Sequence, residues 1–581
     1  MRPLFLFLAA ACVAVVVSGC GGGGKSKAAG AAKVCETPAS ALPPSYEPSG
    51  DVIADSGFRP DTNGFGAENY GNCGQQNLTP TAMSDLFGSD LCLSGSGPDC
   101  QLDPSAQKWM ETTNEQMGGG HCMGFSVAAL RFFSGNLDPA SYGADNTFDL
   151  NIRDNRNLQS LIAEGWVYQF LPAVTDKELT GPPNAILNVL IDSLKSAGES
   201  NRSSAYPSGE KLYTIKIFND SGGHAVTPYA VEDKGNGQYG VLIYDNNYPG
   251  ITRKIDFDTN ANTWSYNAST RPGLAEALYQ GDAANPTNMR LDPTGPGEAT
   301  PQQFDFQAAP NVGSAGSAGS TQTLYNQISL LGDPSNHAHL VISDGKGRIT
   351  GFVNGKIVNN IPGVQVGQIA SIDNWASTPE PNYLIPRSLG NITVIIDGAD
   401  LQKADTESLT LIGQGFYTEV SDIKLTPGQK DGVYYTGDGK GFVYRTAPNH
   451  SQSPTVASAI AAGNSAYAFA AKAIGVKGGS QLTMYIDPKI GGFVLDTTGT
   501  RGAIAKTGGY AAYALSVVRE SPQGETTWVN GKTPILLKRG WQAIVDYKHA
   551  PAAGKKLVVH TGPQHGKSPI PIQLLEPQKS P

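Results

Sequence analysis

Residues 222–244 read Gly222-Gly223-His224-Ala225-Val226-Thr227-Pro228-Tyr229-Ala230-Val231-Glu232-Asp233-Lys234-Gly235-Asn236-Gly237-Gln238-Tyr239-Gly240-Val241-Leu242-Ile243-Tyr244. His224 to Val231 and Tyr239 to Tyr244 are rich in β-branched and aromatic residues, as strands are. The connector Glu232 to Gln238 has the polar, glycine-containing composition of a hairpin turn. Leu212 to Phe218 before this pair, and Ile251 to Phe257 and Thr263 to Tyr266 after it, extend the same sheet. Further upstream the period changes. Ala106 to Met117, Cys122 to Phe133, Leu158 to Phe170 and Asn184 to Ala197 carry apolar residues at helical spacing, and Pro182 and Pro183 precede the last, where proline is tolerated. Helices followed by an antiparallel sheet give an α+β layout.

Beyond this block the composition shifts. Residues 291–322 are rich in Pro, Gly, Ser, Ala and Gln, and Ser314-Ala315-Gly316-Ser317-Ala318-Gly319-Ser320 has linker composition. Residues 323–581 are a succession of short strands and Gly/Asp/Asn turns without a sustained repeat, which predicts β-sandwich or barrel units. At the other end, Arg2, an apolar run from Leu4 to Val17 and the box Val17-Ser18-Gly19-Cys20 form an export signal. The cysteine falls where a lipoprotein is cleaved and lipidated. The expected organisation is a signal over 1–20, a flexible tether over 21–50, an α+β unit over 51–290, a linker over 291–322 and β-rich units over 323–581.

Charged residues make up only 16 % of the 581, alongside 70 Gly and 39 Pro. That suits a turn-rich extracellular protein. A net charge of −9 argues against a nucleic-acid partner, because phosphate binding needs a basic face. Of seven cysteines, Cys12 falls in the signal and Cys20 at its end. Cys35, Cys73, Cys92 and Cys100 are disulfide candidates. Cys92 with Cys100 and Cys35 with Cys73 is the expected pairing, since the first pair closes a short Gly/Pro-rich loop. Cys122 is left over, and an odd thiol in an oxidising compartment pairs between chains or has a chemical task.

Cys122 lies in Gly118-Gly119-Gly120-His121-Cys122-Met123-Gly124, at the front of a predicted helix. There the unpaired backbone N–H groups and the positive end of the helix dipole favour a thiolate and can bind a developing oxyanion. Gly118 to Gly120 and Gly124 would let backbone approach a substrate carbonyl. His121 is adjacent, yet consecutive side chains point apart, so His224 is the better imidazole. If the hairpin turns near Gly235, residue 224 faces residue 246. Asp245, Asn246 and Asn247 then lie within cross-strand or diagonal reach of His224. Thiol, imidazole and carboxylate or amide in this order are the parts of a cysteine nucleophile site. His337 and His339 share one strand face, but no acidic or cysteine ligand is near in sequence, so a solvated strand is the expected reading.

Gly-His-Cys at a helix start, Gly-Gly-His-Ala-Val at a strand start and Tyr-Asp-Asn-Asn at the end of the next strand resemble the papain-like superfamily of cysteine peptidases. The bacteriocin-processing and transglutaminase-like branches are the nearer ones. The resemblance spans roughly Asn114 to Tyr266. It implies Cys122 as nucleophile, His224 as general base and acid, Asp245 or Asn246 as the orienting group, and Gln116 as an oxyanion-hole residue. The sequence departs from papain in having Met123 after the nucleophile and in lacking an Asn-Ser-Trp-Gly signature.

These readings predict a lipid-anchored cell-envelope enzyme acting on a peptide or protein through a thioester, with no metal or organic cofactor. The β-rich half would bind cell wall or another protein. The alternatives are a non-catalytic surface binding lipoprotein on the same scaffold and a transglutaminase-like acyltransferase.

Overall fold

The computed structural model describes residues 42–72, 74–202, 211–219, 222–268, 276–307, 324–370, 380–501, 510–531, 533–563 and 570–575. The signal, Cys20, Cys35, Cys73 and the Ser314–Ser320 run lie outside the described residues. Among those described, helices are few and antiparallel strands many, a mixed α+β architecture with open sheets.

The first sheet has nine strands. Its centre is the predicted hairpin: strand Gly222–Asp233 pairs with Gln238–Tyr244 on one side and with Tyr213–Asn219 on the other. Thr252–Asp258, Thr263–Ala268 and Ala277–Asp282 follow in sequence order toward one edge, while Met289–Pro293 and Leu179–Thr180 complete the other. The central strands are buried on both faces, which explains why they read as nearly continuous apolar runs. Helix Pro183–Arg202 packs on this sheet through Ile186, Leu187, Leu190 and Leu194. Helix Cys122–Phe133 packs on strand Gly222–Asp233 and on helix Arg156–Val167. Gly124 is so close to the Ile162 carbonyl that no side chain fits there. Its glycine thus serves helix packing rather than the substrate approach expected of it.

Two open sheets of ten and eleven strands build the second half. Ile328, Leu409 and Phe469 of one share a single apolar core with Leu340, Val394 and Phe493 of the other. Open sheets facing each other across a core are layered and not closed into a barrel.

Two expected boundaries shift. Residues 291–307 are not linker: Leu291 lies in strand Met289–Pro293, Phe304 is buried against Trp109 and Phe87, and Phe306 is buried against Phe304. Residues 46–50 are not free tether either, because the Tyr46 hydroxyl and the Ser49 and Gly50 amides donate to the Glu232 carboxylate. In both places isolated aromatic residues in a polar stretch find an apolar or acidic partner that local composition does not show. Cys92 and Cys100 form a disulfide. Among the described residues no helix is long and apolar enough to cross a membrane.

The two halves meet through helix Pro104–Gln116, capped by Asp103, whose carboxylate accepts the Ala106 amide. Buried Lys108 on this helix pairs with buried Glu419 on strand Phe416–Leu425 at 2.8 Å.

Candidate active site

A short turn over Met117–Gly119 delivers the chain to the helix that begins at Cys122. Gly120 follows at φ +140°, a backbone conformation that side-chain-bearing residues rarely adopt, and the helix then starts at Cys122. The thiol therefore stands in the first helical turn, where backbone N–H groups have no intrahelical acceptor. Cys122 is the free cysteine among the described residues.

His224 lies on strand Gly222–Asp233, opposite Ile217 of the neighbouring strand. On its other side the hairpin ladder runs from Asp233↔Tyr239 to Thr227↔Tyr244, with a bulge between Pro228 and Ala230. Asp245 is the first residue past that ladder, and its Oδ1 accepts a hydrogen bond from His224 Nε2 at 2.8 Å. The other imidazole nitrogen, Nδ1, meets no nitrogen or oxygen partner, and the Cys122 sulfur is the ring's other polar neighbour. Burial alone would push the His224 proton affinity down. The charge and hydrogen bond of Asp245, with a further contribution from the neighbouring Cys122 sulfur, outweigh it and push His224 up to about 10. Burial likewise pushes the Asp245 carboxyl up. The charge on His224 and the hydrogen bonds from His224, Tyr266 and the Asn247 amide reverse this and hold it below the usual carboxylate value. Such a pair favours imidazolium beside carboxylate.

Asn246 has a different place. Its Nδ2 donates to the Cys122 carbonyl at 3.1 Å and to the Ala225 carbonyl at 2.9 Å. It thereby ties the start of the Cys122 helix to the residue after His224. Asp245 holds the imidazole and Asn246 holds the two elements together. The Asn246 carbonyl accepts the Asn69 amide, and Asn69 Oδ1 accepts the His121 amide.

The ring of His121 faces elsewhere. Its nitrogens lie 2.7 Å from the Tyr70 carbonyl and 3.0 Å from Asn77 Oδ1, and burial lowers its proton affinity to about 4. Gln116 and Asn382 exchange amide hydrogen bonds at 2.7 and 3.2 Å, so the Gln116 amide is engaged with the β-rich half.

His337 and His339, read from sequence as a solvated strand, are buried. His339 Nδ1 lies 2.9 Å from Glu380 and its ring stacks on Phe352, while His337 Nδ1 lies 3.6 Å from Glu407. The carboxylates come from residues distant in sequence, which is why the local stretch reads as unpartnered.

Tyr266 was not singled out from sequence. Its hydroxyl donates to Asp245 Oδ2 at 2.6 Å, so both carboxylate oxygens are bonded. The Arg253 guanidinium lies over the Tyr266 ring at 5.7 Å and extends this support. The available signal was its position on a predicted strand of the same sheet, which does not specify which residue of that strand reaches Asp245. Gln169 likewise carries no local sequence signal. Its Oε1 accepts the Ala370 amide at 2.8 Å, and the Ala370 carbonyl accepts a hydrogen bond from Cys122 Sγ at 3.3 Å. Cys122, His224 and Asp245 each have 0 % of their surface exposed.

Compared with known proteins, the chain matches no family model, no curated protein and no solved structure.

Proposed function

We propose that the chain is a cysteine-dependent acyl-transfer enzyme, a peptidase or amidase of papain-like type. The observation that carries this reading is the 2.8 Å bond from His224 Nε2 to Asp245, which leaves Nδ1 available on an imidazole whose proton affinity Cys122 helps to raise. The Cys122 thiolate attacks a carbonyl carbon. The tetrahedral oxyanion is stabilised by N–H groups of the first helical turn. The imidazolium gives its proton to the departing amine as the carbon–nitrogen bond breaks, leaving a thioester. His224 then takes a proton from water, or from an acceptor amine, as it attacks the thioester and releases the sulfur. Asp245 keeps the ring oriented and its charge balanced throughout.

The chemistry requires that Cys122 reactivity depend on His224. At pH 6, alkylation of Cys122 by iodoacetamide, followed by peptide mass mapping, should slow in His224→Gln. Equal rates in two chains that both label to completion would refute the reading. Full burial of the three residues favours a second reading, a surface binding protein on the same scaffold without turnover. That reading predicts equal rates.

The place of action that fits this reading is the cell envelope, with Cys20 as lipid anchor, a peptide or protein as substrate, and the β-rich half holding cell wall or another protein. Partition of the mature protein into a detergent phase, abolished by Cys20→Ser, tests the anchor.

A further inference from the structure

The Cys122 cleft is already occupied by this chain. We propose that residues Gly367–Ala370 of the β-rich half fill it as an extended peptide ligand, the Ala370 carbonyl oxygen accepting the thiol hydrogen bond, so that the folded protein is latent and its cleft selects an extended peptide with a small residue at the position whose carbonyl meets the sulfur. The inference rests on the acyl-transfer reading of the site above.

Four consecutive residues, Gly367 to Ala370, define the occupant. Gly367 pairs with Asn382 in the β-rich half, and Asn382 in turn bonds Gln116 at the end of the preceding helix. The Gln368 side-chain carbonyl accepts the Arg290 guanidinium, which stacks on Phe218. The Ile369 carbonyl passes directly over Gly223, where an added Cβ would stand 2.8 Å from that oxygen, one residue before His224. The alanine at 370 then has both backbone groups held by the first half: its amide by Gln169 Oε1 and its carbonyl by Cys122 Sγ. Gln169 is itself buried and fixed by a bond to the Trp166 carbonyl.

This arrangement is specific to a peptide. The Ala370 amide and carbonyl meet side chains of the helical layer, the Gln368 side chain meets Arg290 of the sheet, and the glycine at 223 leaves room for a main chain. Ala370 has none of its surface exposed, so a large side chain has no space there. A β-domain merely resting on the first half would need neither a donor and acceptor matched to one residue nor contact with the sulfur. This hold in cis competes with any substrate in trans at high effective concentration.

The test measures Cys122 alkylation by iodoacetamide in the full chain, with circular dichroism and melting to establish folding. Ala370→Arg cannot keep the buried segment in place, and alkylation should rise about tenfold or more relative to the native chain. Gln169→Ala removes one anchor and keeps Ala370; it should give a smaller rise and serves if Ala370→Arg does not fold. In whichever folded variant labels faster, the peptide acetyl-Val-Gly-Gln-Ile-Ala should slow labelling, and the same peptide ending in Arg should not. Fast, His224-dependent labelling of the native chain, unchanged in both variants, overturns the occupant while leaving the acyl-transfer reading intact. Faster labelling in the variants that is indifferent to His224→Gln shows a plug over an inert thiol and overturns that reading instead. Equal protection by the two peptides overturns the proposed selectivity.

Discussion

Replacing Asp245 by asparagine keeps the shape of the side chain and removes its charge. In the native protein His224 holds its proton up to about 10, against an ordinary 6.5. That difference corresponds to about 5 kcal/mol of preference for the protonated ring. The preference is itself a balance: burial opposes it, while Asp245 supplies both the opposing charge and the hydrogen bond. Take the carboxylate away and burial dominates, so His224 in Asp245→Asn should lose its proton below 6.5. The assay is a nitrogen-15 NMR titration of the eight histidines, with the His224 signal assigned by its loss in His224→Gln. The native ring should remain imidazolium from pH 5 to at least 9, and the variant ring should be neutral at pH 7. A His224 signal in Asp245→Asn that still titrates above pH 8 would refute the claim that Asp245 governs this imidazole.

Tyr266→Phe leaves Asp245 Oδ2 buried without its donor and should destabilise by about 1–3 kcal/mol, read by chemical denaturation. His224 also sets a pH dependence. Its folded value is raised, so its contribution is complete below 6.5 and is lost as pH rises through about 10. The excess melting temperature of the native chain over His224→Gln should therefore shrink between pH 6 and pH 10. An excess that grows over that interval would contradict the pairing. Lys108→Ala strands the buried Glu419 carboxylate at the junction of the halves and should cost roughly 3–5 kcal/mol, while replacing both residues by apolar ones should restore most of it.

The residues of the site divide according to how far apart in sequence their partners lie. His224 and Asp245 belong to one hairpin, so a turn signal and two apolar runs were enough to bring them near each other on paper. Even there the sequence could not choose between Asp245 and Asn246. That choice came from the end of the ladder and the bulge at Pro228–Ala230, which set where each side chain points. Tyr266 required knowing that its strand lies two places from the His224 hairpin's outer strand, with its hydroxyl aimed at Asp245. Gly124 shows the opposite case: local sequence suggests a glycine that makes room beside Cys122, whereas the space is taken by the Ile162 carbonyl.

By itself the sequence determined the alternation of periods, the helix starts, the hairpin and the uncommitted thiol, because each of these depends on residues within one or two turns or strands of one another. Only the tertiary structure decided that the Ala370 carbonyl rests on the sulfur, 248 positions away, that carboxylates reach His337 and His339, and that Phe304 and Phe306 are core. Those contacts follow from how the sheets pack against the helices. Burial and hydrogen bonding reward such meetings through space, and no local run of residues encodes which distant segment will arrive.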